Sequence, residues 1–122
     1  AGQYSLQFLD NASGDPAFLP GYGAAVLANV ASYEENVRAV LAKVTLGEAD
    51  AGIVYSSDVT GGQREQLQLI AIPAAVNVVA TYPIAPVADS AQPELAQAFA
   101  DFVVSPTGRA ILERYGFDHV QP

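Results

Sequence analysis

The sequence predicts an α/β fold, and three observations carry that prediction. Apolar residues recur at helical spacing behind capping signals in at least two places. Short, continuous, β-branched runs bounded by polar or glycine-rich turns occur in three others, and the two kinds of segment alternate along the chain. With 122 residues, 51% hydrophobic and 15% charged, the length fits one compact domain or a piece of a larger protein.

The elements follow in order. Residues 2–11, GQYSLQFLDN, place Tyr4, Phe8 and Leu9 on one helical stripe, which Gly14 and Pro16 close. DPAFLPGYG, residues 15–23, carries two prolines and two glycines and reads as a folded loop inserted between helix and strand. VLANVAS from Val26 fits either a helical turn or a strand. Ser32 with Glu35 matches the S-x-x-E capping box, so a helix is expected to start there. Val37, Val40, Leu41 and Val44 then form its apolar face, Glu34, Glu35, Arg38 and Lys43 take other faces, and Gly47 supplies the stop. The run AGIVY, Ala51 to Tyr55, suits a strand covered on both sides, with Ser56, Ser57 and Asp58 at its carboxyl end. TGGQREQ from Thr60 is a polar turn with no helix after its glycines. LQLIAIP from Leu67 and VNVVATYPIAPV from Val76 are strand-like, although Pro83 and Pro86 confine the end of the second to an edge or a crossing. Pro93 opens a helix with Leu95, Phe99, Phe102 and Val103 on one face. Ser105 and Pro106 restart another as N-cap and first residue, turning Ile111, Leu112 and Tyr115 inward before Gly116.

Charge and composition exclude several function classes. Five basic residues against 13 acidic ones give a formal net charge of −8, so a row of phosphates could not be neutralised and nucleic acid is not an expected partner. There is no cysteine, and the single histidine, His119, lies near a terminus where fraying makes a surface role the plain reading, so zinc chemistry is not expected. No apolar run approaches the roughly 20 residues of a bilayer-spanning helix, and no basic leader opens these residues, so any export signal is expected elsewhere. An enzyme is not expected either: no G-x-S-x-G elbow, P-loop or G-x-G-x-x-G occurs, and the paired carboxylates Glu34/Glu35 and Glu48/Asp50 read as a cap and a solvated turn. Asn11-Ala12-Ser13 is a formal glycosylation acceptor that reads more simply as a polar helix end.

One constellation is left. A helix amino end around Asn36 and Val37 is followed, eighteen residues after Val37, by Tyr55 at the end of an apolar run. Helix amino ends offer unpaired N–H groups and a partial positive charge, and ligands in open α/β sheets sit beyond the carboxyl ends of strands. An anion held there would take amides of the first turn and the Tyr55 hydroxyl, with no need of Lys or Arg.

The segment ENVRAVLAKVTLGEADAGIVYSSD, residues 35–58, resembles the periplasmic molybdate-binding proteins of bacterial ABC importers. So do YPIAPV from Tyr82 and PELAQAFADFVVSPTGRAILERYGF from Pro93, while the opening AGQY is similar to the tail of the family's P-A-G-x-Y motif. The resemblance implies an incomplete second lobe of a type II periplasmic-binding-protein-like fold, with carboxyl-terminal helices. Residues 1–82 would form the partial second lobe carrying oxyanion-site residues, and residues 83–122 the return segment and the helices. It implies an oxyanion ligand, molybdate or tungstate, held by Ala1, Val37 and Tyr55, with no other cofactor and no metal beyond the oxyanion. The family's serine ligands belong to an amino-terminal lobe with no counterpart here. The implied partner is the membrane permease of an ABC importer, the implied location periplasmic or extracytoplasmic. Donors from one lobe alone imply weak binding by these residues, and faces left without partners imply self-association, as a swapped dimer for example. The alternative reading is the anion- or metabolite-sensing effector domain of a transcription regulator, which shares the architecture.

Overall fold

Ala1–Ala80 and Thr81–Pro122 form two compact units of the computed structural model, which describes residues 1–118. His119 lies outside the described residues. The first unit begins with α1, Gly2–Gly14, whose stripe buries Phe8, Leu9 and Ala12, while Tyr4 at the edge of that stripe is exposed. Against α1 packs α2, Tyr22–Ala28, so the segment from Val26 is helical over residues 26–28, while its residues 29–32 form neither helix nor strand. The loop before it is accordingly shorter than the nine residues expected, because Tyr22 and Gly23 already belong to α2. Phe18 and Tyr22 lie 4.9 Å apart between ring centroids, tilted by 57°, Phe8 meets Tyr22 edge-on at 6.4 Å, and Val26 closes the same cluster. Ser13 staples the pair, donating to the Leu9 carbonyl at 2.8 Å and accepting the Gly23 amide at 3.0 Å. Val76, 2% exposed, completes this core with Ile53 and Ile72. The Asn11 amide holds that distant segment in place by donating to the Val76 carbonyl at 3.2 Å.

The helix expected from Ser32 begins later. α3 spans Val37–Thr45 and is capped by Asn36, whose Oδ1 accepts the Ala39 amide at 3.0 Å. Ser32 instead donates to its neighbour Glu34 at 2.7 Å. The physical reason is proximity: an N-cap must directly precede the first helical residue, and Asn36 does so with the extended backbone a cap requires (φ −152°, ψ 161°). Asn36→Ala is expected to lower stability by about 1 kcal/mol in a urea titration followed by circular dichroism. Leu41 is buried and Val37, Val40 and Val44 are half-buried, as the apolar face requires, and the helix ends before Gly47. In its last turn Lys43 pairs with Glu48. The hydrogen bond to that carboxylate, then its charge, raises the Lys43 pKa above its ordinary value; the pair lies open to solvent and is screened there.

No strand forms among the described residues, which corrects the strand assignments at 51–55, 67–73 and 76–87 and leaves the sheet of an α/β class undemonstrated. A strand exists only through its ladder, and β-branched composition supplies propensity without supplying a neighbour. The run from Ala51 instead packs sideways onto α3. At Gly52 a Cβ would fall 2.5 Å from Val40 Cγ1 and 3.2 Å from Val44 Cγ2, so only glycine permits so close an approach. Beyond it come a single 3₁₀ turn, Ser56–Asp58, and then α4, Gln63–Gln66, a one-turn helix where the sequence predicts only a turn.

In the second unit, α5 spans Pro93–Val104 and α6 spans Pro106–Arg114, with proline in the first turn of each. Ser105 caps α6 as expected, accepting the Gly108 amide at 3.2 Å, and Tyr82 meets Phe117 edge-on at 6.1 Å. The apolar face of α5 is less covered than its pattern predicts. Ala100 is buried, but Leu95, Phe99 and Phe102 are exposed, and so is Tyr115 on the segment after α6. Two helices offer each other one stripe apiece, which cannot cover the full width of an apolar arc.

Candidate functional site

Gly52 against Val40 and Val44 sets where the extended run lies on α3. From the level of those two valines, the amino end of α3 is some five residues away, roughly 7.5 Å at 1.5 Å per residue. Three residues of extended chain, Gly52 to Tyr55, advance about 10 Å. Running toward the start of the helix, the segment therefore brings its own end level with the first turn of α3. A cleft of ≈ 450 Å³ lies there, lined by Arg38 and Leu41 from α3, Ser57 and Asp58 from the 3₁₀ turn, and Thr60 and Gln63 beyond it.

The three residues expected to hold a ligand are distributed as follows. Val37 is the first residue of α3, next in the chain to the cleft-lining Arg38. Asn36 Oδ1 satisfies the Ala39 amide and the Asn36 carbonyl accepts from Val40, whereas no acceptor among the described residues takes the Val37 or Arg38 amide. These are first-turn donors of the kind a helix leaves open. Tyr55, half-buried, is the cap of the 3₁₀ turn rather than the end of a paired strand, two residues before the cleft-lining Ser57. Val37 and Tyr55 thus flank one cleft through their chain neighbours, although neither is itself part of its lining. Ala1 caps α1, where its carbonyl accepts the Ser5 amide at 2.9 Å and the Ser5 hydroxyl at 3.1 Å; it is exposed and outside the lining of this cleft.

The cleft also contains residues to which sequence reasoning gave no role. Arg38 reads as a solvated position beside an apolar stripe, yet it borders the cavity with one positive charge. Asp58 reads as a polar residue ending a run, yet its carboxylate accepts the Tyr55 amide at 2.9 Å while its own amide donates to the Tyr55 carbonyl at 3.0 Å. The spacing of an acid three residues after a cap position could have signalled that turn. Two charged residues of opposite sign, Arg38 and Asp58, line the cleft.

Residues 1–118 match the family model described as bacterial extracellular solute-binding protein. The chain belongs to that family. Among curated proteins, this solute-binding protein is similar to the molybdate-binding protein ModA of Mycobacterium bovis and to that of Mycobacterium tuberculosis. It is 40% identical to each over 89 residues, which is 73% of this chain and 34% of the relative. This solute-binding chain therefore spans about a third of the length of those relatives. No solved structure matches it significantly. No helix among its described residues is long and apolar enough to cross a membrane.

Proposed function

We propose that this solute-binding protein captures molybdate or tungstate outside the cytoplasmic membrane and delivers it to the permease of an ABC importer, with Ala1, Val37 and Tyr55 as ligand donors. It binds and releases its cargo unchanged and performs no catalysis. The observation that carries the reading is the single cleft flanked by open first-turn amides of α3 and by the Tyr55 turn. Its supports are the family and the similarity to molybdate-binding relatives. In this reading the chain is an incomplete second lobe, and its extended runs enter strand ladders when the complete gene product supplies neighbours.

The chemistry of the ion suits such donors. Molybdate is fully deprotonated at neutral pH, so its oxygens only accept hydrogen bonds, and a phenol with a reference pKa of about 10 still donates there. One hydrogen bond to a charged group contributes roughly 1.5–3 kcal/mol, so tight capture requires a ring of donors and the exclusion of water. The test is calorimetric titration of the complete gene product containing these residues with sodium molybdate. Saturable binding is expected, and Tyr55→Phe, which deletes a single O–H to a charged group, is expected to weaken it roughly ten- to hundredfold. Absence of molybdate binding by the intact protein overturns the proposal.

A further inference from the structure

We infer that Asp58 is a positioning residue for the oxyanion site: its carboxylate and amide together lock the backbone of Tyr55, fixing where the phenol leaves the chain. This rests on the function proposed above. Both backbone polar groups of Tyr55 are engaged by the same residue, the N–H by Asp58 Oδ2 at 2.9 Å and the C=O by the Asp58 amide at 3.0 Å. Two bonds closing one short ring define φ and ψ of Tyr55 (−79°, 150°), and these set the direction of its Cα–Cβ bond.

The turn is itself anchored. Val59, next in the chain, is 1% exposed, and the Arg64 Nε donates to its carbonyl at 2.8 Å, tying the far side of the turn to α4. Asp58 therefore stands between a fixed point in the core and a tyrosine beside the cleft, and it lines that cleft together with Arg38. An acceptor-only carboxylate bordering an anion site would be a liability unless it had another task. Accepting the Tyr55 amide directs one of its oxygens toward backbone, and Arg38 lines the same cleft with the opposite charge. A fixed Cα–Cβ bond narrows the directions the phenol can take and so lowers the cost of ordering it on binding, a cost of about 0.5–1.5 kcal/mol at most.

The test uses the complete gene product with Asp58→Ala, Asp58→Asn, Tyr55→Phe and the double variant Asp58→Ala/Tyr55→Phe. Hydrogen exchange read by ¹⁵N NMR is expected to show the Tyr55 amide exchanging roughly three- to tenfold faster in Asp58→Ala, and near the wild-type rate in Asp58→Asn, which keeps an acceptor oxygen. In molybdate titration, Asp58→Ala is expected to lose affinity, by less than Tyr55→Phe does. The double variant should lose no more than the larger single loss, because both act through one hydroxyl. An unchanged Tyr55 exchange rate in Asp58→Ala, or additive losses in the double variant, overturns the inference. If the intact protein binds no molybdate, the proposed function fails, and exchange at Tyr55 still decides whether Asp58 holds it.

Discussion

Val37→Pro is expected to lower molybdate affinity about ten- to hundredfold while leaving α3 folded. Proline removes one amide hydrogen and little else at this position. Val37 is the first residue of the helix, where proline is favoured because the helix has no use for that N–H, and its fixed φ suits the first turn. The residue before it must be extended to accommodate the ring, and Asn36 already is, at φ −152° and ψ 161°. The Asn36 cap bonds Ala39 and Val40, not Val37, so capping survives. A hydrogen bond to a charged group contributes roughly 1.5–3 kcal/mol, which sets the size of the loss. Val37→Ala trims the side chain but keeps the amide, and should bind within about twofold of wild type. Far-UV circular dichroism checks the helix and calorimetry the ligand; wild-type affinity in the proline variant would remove the Val37 amide from the site.

Gly108→Ala is expected to destabilise the chain by about 2–4 kcal/mol, the largest stability effect of a single methyl group here. Gly108 is buried in the first turn of α6, where the chain doubles back on α5. An added Cβ would lie 2.5 Å from the Val103 carbonyl oxygen and 2.8 Å from its carbon, and would collide with the Phe102 carbonyl oxygen as well. These are backbone atoms of the last turn of α5, so no side-chain rotation relieves the contact. The corner must open. Opening it also strains the cap, because Ser105 accepts the Gly108 amide at 3.2 Å and donates to the Phe102 carbonyl at 2.6 Å. Thermal unfolding should show a Tm lowered by at least roughly 6 °C. An unchanged Tm would mean that α5 and α6 can part without cost.

The helices were legible because each announces itself within its own residues. Proline at the first turn of α5 and α6, the serine before α6 and the repeating valines of α3 are all local signals. The start of α3 was misread because two cap signatures compete within five residues. The S-x-x-E pattern at Ser32 is more distinctive, but Asn36 adjoins the first apolar position, and adjacency decides which oxygen can reach the amides. The extended runs were legible in composition and not in pairing, since the partner of a strand is never written in the strand itself. Of the candidate site, Val37 and Tyr55 could be found from the conjunction of a helix start and a run end. An acid three residues after Tyr55 is a cap signature, but it has meaning only if Tyr55 opens a turn, which an apolar run read as a strand conceals.

Gly52 has one more consequence. With no side chain there, the extended run rests directly on the methyl groups of Val40 and Val44, and the thickness of that seam gauges how far the phenol-bearing turn stands from the helix mouth. A single methyl inserted at this seam would act as a shim, widening the gap between the Tyr55 turn and the amino end of α3.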